Sequence, residues 1–249
     1  MDPLPASFFD RSTVRVAQDL LGARLVHDHP DSPQEQLVGR IVETEAYTED
    51  DPACHASHLS NDPETGTVSG RGRGRDLFAA PGTAYVYLIY GLHWLLNVVT
   101  EPKGTAGAVL IRAVEPESGI DFMTKMRGVQ RRVDLTNGPG KLTDAFDVGE
   151  GFHGADLTGP PLYFAEGSTV EASRVARHAE WVVRGAYFVL RISYALAALR
   201  NTHYALLPGI LTALSRTHHG SLAESCSIVP ISRRHGDDPR ANDLRTGAR

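Results

Sequence analysis

A chain of 249 residues, 41% hydrophobic and 22% charged, can bury a large core as one domain. Its formal net charge of −5 excludes a global basic field, so any polyanion partner would have to be met by a local patch. Cys54 and Cys226 are too few for a disulfide framework, MDPLPASFFDRSTVRVAQ is no secretory signal, and the most apolar stretch, Trp181 to Leu199, is broken by Arg184 and Arg191. The expectation is a cytoplasmic protein in a reducing compartment, with no membrane partner.

Asp10-Arg11-Ser12-Thr13 precedes Val14, Val16, Ala17, Leu20 and Leu21, which predicts an amphipathic helix capped by Ser12 or Asp10 and closing at Gly22. Leu25-Val26 and Gln36 to Tyr47 read as strands. In the second, period two puts Ile41, Glu43, Glu45 and Tyr47 on one face and Val42, Thr44 and Ala46 on the other. Acidic residues are mostly exposed, so a solvated face is the plain reading; a catalytic carboxylate beside a tyrosine is the alternative.

Residues 48–74 read as a loop, acidic at first and then rich in Gly and Arg. Cys54-His55-Ala56-Ser57-His58 holds metal-ligand residue types. Zinc needs three or four ligands, however, and His153 and the pair His218-His219 stand apart in the sequence. Arg71, Arg73 and Arg75, alternating with glycines, form either a solvated loop or contacts to backbone phosphates. The alternation does not fit a nucleotide-binding Gly-rich loop.

Gly82 to Asn97, GTAYVYLIYGLHWLLN, reads as two strands joined tightly at Tyr90-Gly91-Leu92-His93. On composition it is either a core hairpin whose rings pack or a protruding one that offers rings to a flat ligand such as a nucleobase. Tyr85 and Tyr87 share one face, Leu88 and Tyr90 the other. Gly107 to Ala113 reads as a buried strand ended by Glu115-Pro116, whose Arg112 needs a carboxylate or a cleft. A helix follows over Gly119 to Arg127 with Ile120, Met123 and Met126 inward. Asn137-Gly138-Pro139-Gly140-Lys141 is a turn opening another helix, whose free N–H groups and cation suit a phosphate. Pro160 to Phe164 reads as a strand, and Trp181 to Ser193 supplies one or two more. Ala195 to Leu214 reads as helix-like, and the polar Ser215 to Arg249 ends in a stretch of disordered composition. The expected division is a domain over 1–193 and an extension over 194–249.

Five segments in order, FFDRSTVRVAQDLLG, GRIVETEAYTEDDPACHAS, GTAYVYLIYGLHWLLN, GAVLIRAVEP and NGPGKLTDAF, resemble the alkyladenine (3-methyladenine) DNA glycosylase family over residues 7 to about 165. The tail after about Tyr194 has no counterpart there. The resemblance implies an α/β (α+β) fold: one compact domain with a curved antiparallel sheet, a protruding β-hairpin and surrounding helices. It also implies a monofunctional enzyme that flips a damaged purine from duplex DNA and hydrolyses its N-glycosidic bond. By position, Glu45 matches the general base and Arg112 an active-site arginine. Tyr47, His55 and Tyr87 match the base-pocket lining, Asn97 a residue that rejects guanine, and Tyr90 the residue that fills the gap left by the flipped base. Arg71, Arg73, Arg75 and Lys141 are candidates for the DNA backbone. No metal or organic cofactor is implied, and the partner is double-stranded DNA met by a monomer. Two other readings remain: a lesion-binding protein of the same fold without catalysis, and an unrelated hydrolase using His55 and His58 with a metal.

Overall fold

The computed structural model describes residues 1–168, 175–182 and 187–194. Helices α1 (Ala6–Phe9) and α2 (Thr13–Asp19) lead into strands β1 (Arg24–His27) and β2 (Leu37–Thr48). A small hairpin, β3 (Ser60–Asp62) and β4 (Thr67–Ser69), precedes a 3-10 turn over Arg73–Phe78. Then come β5 (Ala84–Ile89), β6 (His93–Val99), β7 (Gly107–Ser118), α3 (Ile120–Arg127), α4 (Pro139–Ala145) and β8 (Leu162–Ala165). The backbone closes with β9 (Val175–Val182) and β10 (Tyr187–Tyr194), the strands expected near Trp181 to Ser193. The expected helix and polar tail beyond Tyr194 lie outside the described residues, as do Cys226 and His218-His219.

Among the described residues every strand pairing is antiparallel, and the main sheet runs β5-β6-β7-β2-β1-β8. β1 borders β2 at Leu37 to Arg40, and β10 takes over the same edge at Glu43 to Ala46. This is the curved antiparallel sheet with surrounding helices that the family resemblance implies. Alternation gives it two unlike faces. Thr44, Ala46, Val86, Leu96, Val98, Val109 and Ile111 turn one way, where the apolar ones meet Phe9, Val16, Ala17, Met123, Leu142 and Phe146 in the main core. Glu45, Tyr47, Tyr85, Tyr87, Leu95, Asn97, Leu110 and Arg112 turn the other way. A second cluster of Cys54, Ala56, Leu77 and Phe78 supports them there.

Several expectations need correction. Helix α2 begins after Ser12, but the Ser12 side chain makes no cap. The Thr13 amide and hydroxyl instead bond Glu101 Oε1 at 2.6 and 2.8 Å, from 88 residues away. A remote carboxylate thus does the work of a local cap at a helix N-terminus. The segment 48–74 holds the β3–β4 hairpin, stabilised where the Arg75 guanidinium bonds the carbonyls of Val68 and Gly70. Strand β7 runs through Pro116 to Ser118 instead of ending at Glu115-Pro116, because Pro116 sits opposite Gly39 at a register shift, where a missing N–H breaks no ladder. In α3, Met123 is buried but Met126 is exposed, since the helix presents Ile120 and Phe122 to the core beside Met123.

Candidate active site

β2 and β7 carry a pair of opposed bulges at the site. Ile41 pairs with Val114, Glu43 with Ala113 and Thr44 with Ile111, so Val42 is extra on one strand and Arg112 on the other. Bulges re-aim side chains beside functional sites. Here Arg112 reaches across β2 with Nε 3.2 Å from Glu43 Oε1 and Nη1 2.9 Å from Glu45 Oε1. Arg112 therefore does both things its burial demanded: it meets carboxylates and it faces a cleft.

Glu45 is 6% exposed. Its second oxygen accepts a 2.8 Å bond from the Tyr47 hydroxyl. Each carboxylate oxygen has two lone pairs, so a bond on each leaves room for a further donor such as water. Burial first, and then the neighbouring Glu45 charge, push the Tyr47 phenol far above its ordinary value, so Tyr47 remains a donor. The same two causes raise Tyr87 to about 12.

Register places Glu45 opposite Leu110, Leu110 opposite Asn97 and Asn97 opposite Tyr85, a single row across four strands. Tyr87 and Leu95 pair one step nearer the hairpin tip. Above this row opens a cleft of about 520 Å³. Glu45, Tyr47, Arg112, Leu110, Leu95 and Tyr87 line it from the sheet, and Tyr90 and His93 from the hairpin tip. Arg127 and Gly138 to Lys141 line it from the helical side.

The hairpin turn has φ of +54° at Tyr90 and +69° at Gly91, with the Leu92 N–H donating to the Ile89 carbonyl at 3.0 Å. Positive φ at both central residues matches the twist of a hairpin, and glycine adopts it freely. A tyrosine there is strained, by roughly 1–2 kcal/mol for a left-handed non-glycine residue. Its ring gains no burial in return: Tyr90 is 88% exposed and Leu92 74%. The hairpin therefore protrudes at its tip while Tyr85, at its base, is core.

His55 and Asn97 do not border the cleft directly. The His55 ring packs edge-on to Tyr87, centroids 4.8 Å apart, and its Nδ1 lies 2.7 Å from the Tyr85 hydroxyl. Desolvation on that packed side, then the charges of Arg73 and His58, lower its pKa. Asn97 is buried and donates from Nδ2 to the Tyr85 carbonyl at 3.0 Å. Tyr85 is thus the hidden partner of both residues, which the chain order gave no means of seeing.

The candidate backbone contacts divide. Arg71, Arg73 and Arg75 are all exposed, but Arg73 donates to the Leu88 carbonyl and Arg75 to Val68 and Gly70. Lys141 borders the cleft with Nζ 2.8 Å from Asn137 Oδ1. Arg127 was missed: it closes α3, is held by Asp144 at 3.0 Å, and lines the cleft opposite Arg112. Its only sequence signal is a basic residue in a helix's last turn, which is too common to single out.

Among the described residues no helix is long and apolar enough to cross a membrane, and no group of three or more His, Cys, Asp or Glu could hold a metal ion. The His58 ring bonds the Arg71 carbonyl, away from His55's partner Tyr85.

Residues 7–179 match the family model described as methylpurine-DNA glycosylase. A Salinibacter ruber protein named for 3-methyladenine DNA glycosylase is 72% identical over 177 residues, covering 71% of this chain and 85% of that protein. Its counterpart from Chlorobium phaeobacteroides is 46% identical over 164 residues, covering 66% and 76%. One from Prosthecochloris aestuarii is 46% identical over 169 residues, covering 67% and 74%.

Proposed function

The chain belongs to the methylpurine-DNA glycosylase family, and from that premise we propose that it excises alkylated or deaminated purines from duplex DNA by hydrolysis. The candidate substrates are 3-methyladenine, hypoxanthine, ethenoadenine and 7-methylguanine. The observation that carries this is the Arg112–Glu45–Tyr47 chain at the floor of a cleft whose mouth is the exposed, strained Tyr90 tip.

An extruded base enters between rings borne by β2 and β5. An N-alkylated, electron-poor purine is the better partner for such faces. As the C1′–N bond lengthens, its electron pair leaves with the base and positive charge gathers on the sugar. Glu45 is fixed by Arg112 on one oxygen and Tyr47 on the other, so it meets that charge without reorganising. It also takes a proton from the water that bonds to C1′. The product is an abasic site. His55, with Nδ1 on the Tyr85 hydroxyl and its ring against Tyr87, acts from behind the cleft lining by holding Tyr87 in place for the base. Asn97, in the same row as Glu45 but buried on the Tyr85 carbonyl, bears on which purines fit from beneath the cleft lining. Tyr90 fills the vacated stack, where unstacking costs a few kcal/mol and least at a damaged pair. Metal and organic cofactors have no part in the sequence of steps.

An oligonucleotide carrying hypoxanthine or a 3-methyladenine analogue tests this by its release of free base. The wild-type chain should produce alkali-labile abasic sites, and Glu45→Gln should lose roughly 10²–10⁴-fold in rate while still binding the lesion duplex. Full activity in Glu45→Gln removes Glu45 as the base. Binding without release by the wild type favours the lesion-binding reading instead.

A further inference from the structure

Among the described residues β5 is the end strand of the sheet, so the outward groups of Ala84, Val86 and Leu88 meet no neighbouring strand there. Open strand edges are normally covered or charged, since their unpaired N–H and C=O groups invite wrong pairings. This edge is covered point by point. Ala84 exchanges bonds with Ala155 and Gly154 at 2.7 and 2.9 Å. The Val86 N–H donates to His153 Nδ1 at 3.3 Å, and His153 Nε2 stands 3.3 Å from Asp76 Oδ2. The Leu88 carbonyl accepts from Arg73 Nη1 at 2.9 Å. Leu88 is the last outward-facing residue of β5 before the turn at Tyr90.

Arg73 and Asp76 come from the same 3-10 turn, and between them Gly74 lies directly against the backbone of His55, whose carbonyl a Cβ there would overlap. One short turn thus touches the hairpin edge near its tip, reaches that edge again through His153, and backs the loop carrying His55. A two-stranded ribbon is marginal alone, and this one must hold a strained tyrosine outward.

We propose that the Arg73–Phe78 turn is a clasp that fixes the hairpin against the His55 loop, with Arg73 a positioning residue for the Tyr90 tip. This rests on the glycosylase reading and assigns Arg73 differently from a phosphate contact, since its guanidinium is engaged on the protein's own backbone. The wedge matters when a base is drawn out of a duplex and matters far less when the target is already single-stranded.

Base release is measured under single turnover from hypoxanthine in duplex and in single-stranded oligonucleotides, using the full chain and its Arg73→Ala, Arg73→Lys and Asp76→Asn variants. Arg73→Ala should lose about ten times more rate on duplex than on single strand, and Asp76→Asn should lose in the same direction by less. Arg73→Lys, which keeps a donor, should recover part of the loss. Duplex affinity should keep its salt slope; a slope weaker by about 0.9 would mean a lost phosphate contact and overturn the proposal. Equal losses on both substrates would overturn it too. Amide hydrogen exchange over residues 87–93 of the free protein reads the clasp without catalysis. It should quicken several-fold in Arg73→Ala, and unchanged exchange refutes the clasp. A wild type that releases no base refutes the glycosylase reading, and exchange still decides the clasp.

Discussion

The helix-covered face of the sheet and its open face are made by alternate residues of the same four strands, yet different forces hold them. On the covered face Ala84, Val86, Leu96, Val98, Val109 and Ile111 are buried in the main core that α2 and α4 share, and dispersion and loss of apolar surface do nearly all the work. On the open face a glutamate, an arginine and two tyrosines are bound by directed contacts: Arg112 to Glu45, Tyr47 to Glu45, Tyr85 to His55. Directed contacts in a half-buried place add little net stability, but losing one partner leaves the other stranded. The contrast teaches that this scaffold separates stability from chemistry by a single residue step along each strand.

The strongest way to break that comparison is to cut into the covered face. Ile111 is fully buried, and Ile111→Ala should cost roughly 2–5 kcal/mol in urea unfolding, a large part of a domain's usual stability. Base release below the new melting point should stay close to wild type. If activity falls as far as stability, the two faces are not separable. At the hairpin tip the signs should diverge. Tyr90→Gly removes left-handed strain but adds backbone freedom to the unfolded chain, so stability should move by under about 1 kcal/mol. Duplex base release should fall roughly ten-fold, because a few kcal/mol of unstacking is no longer offset by the inserted ring. A melting point several degrees lower would mean that the exposed ring is packing after all.

A smaller effect sharpens the comparison with one titrating histidine on each side. His27, 2% exposed and bonded through Nδ1 to the Phe146 carbonyl, has its pKa lowered chiefly by burial, and His55 is lowered by desolvation and then by the charges of Arg73 and His58. A lowered histidine pKa means that the unfolded chain binds the proton more readily. Stability is therefore full above about pH 6.5, the unfolded value, and is lost as pH falls through the lower folded values. Urea midpoints at pH 7.5 and 5.5 should show this acid slope, and His27→Gln should flatten it more than His55→Gln, because His27 is the more enclosed. An equal or opposite ranking would show that the open face is drier than its exposure suggests.

How much of this could be read beforehand follows from the range of each contact. Period two along Leu37–Thr48 put Ile41, Glu43, Glu45 and Tyr47 on one side; the structure keeps the last three together, while the bulge at Val42 leaves Ile41 in the main core. The break at Tyr90-Gly91 marked the hairpin tip, and the single charge in GAVLIRA meant that Arg112 would need a carboxylate or a cleft. Each of these is a local pattern. What stayed hidden joins distant segments: Glu101 capping α2 across 88 residues, Tyr85 meeting His55 across 30, and Arg73 meeting Leu88 across 15. Tyr85 is buried, but nothing in YVY says which loop will reach its hydroxyl. Arg71, Arg73 and Arg75 looked equivalent in GRGRGR, and only their partners tell them apart.

The opposed bulges carry one more consequence. Val42 puts β2 one residue out of step with β7, and Arg112 puts it back, so the ladder from Thr44 onward runs in the same phase as before Ile41. Deleting Val42 alone would slide the rest of β2 by one place and turn Glu45 and Tyr47 inward. Deleting Arg112 alone would do the same to its partner strand. Deleting both would restore a regular ladder that folds but has no cation at its centre. The arginine that grips the glutamate is thus also the stitch that lets two long strands miscount and still agree.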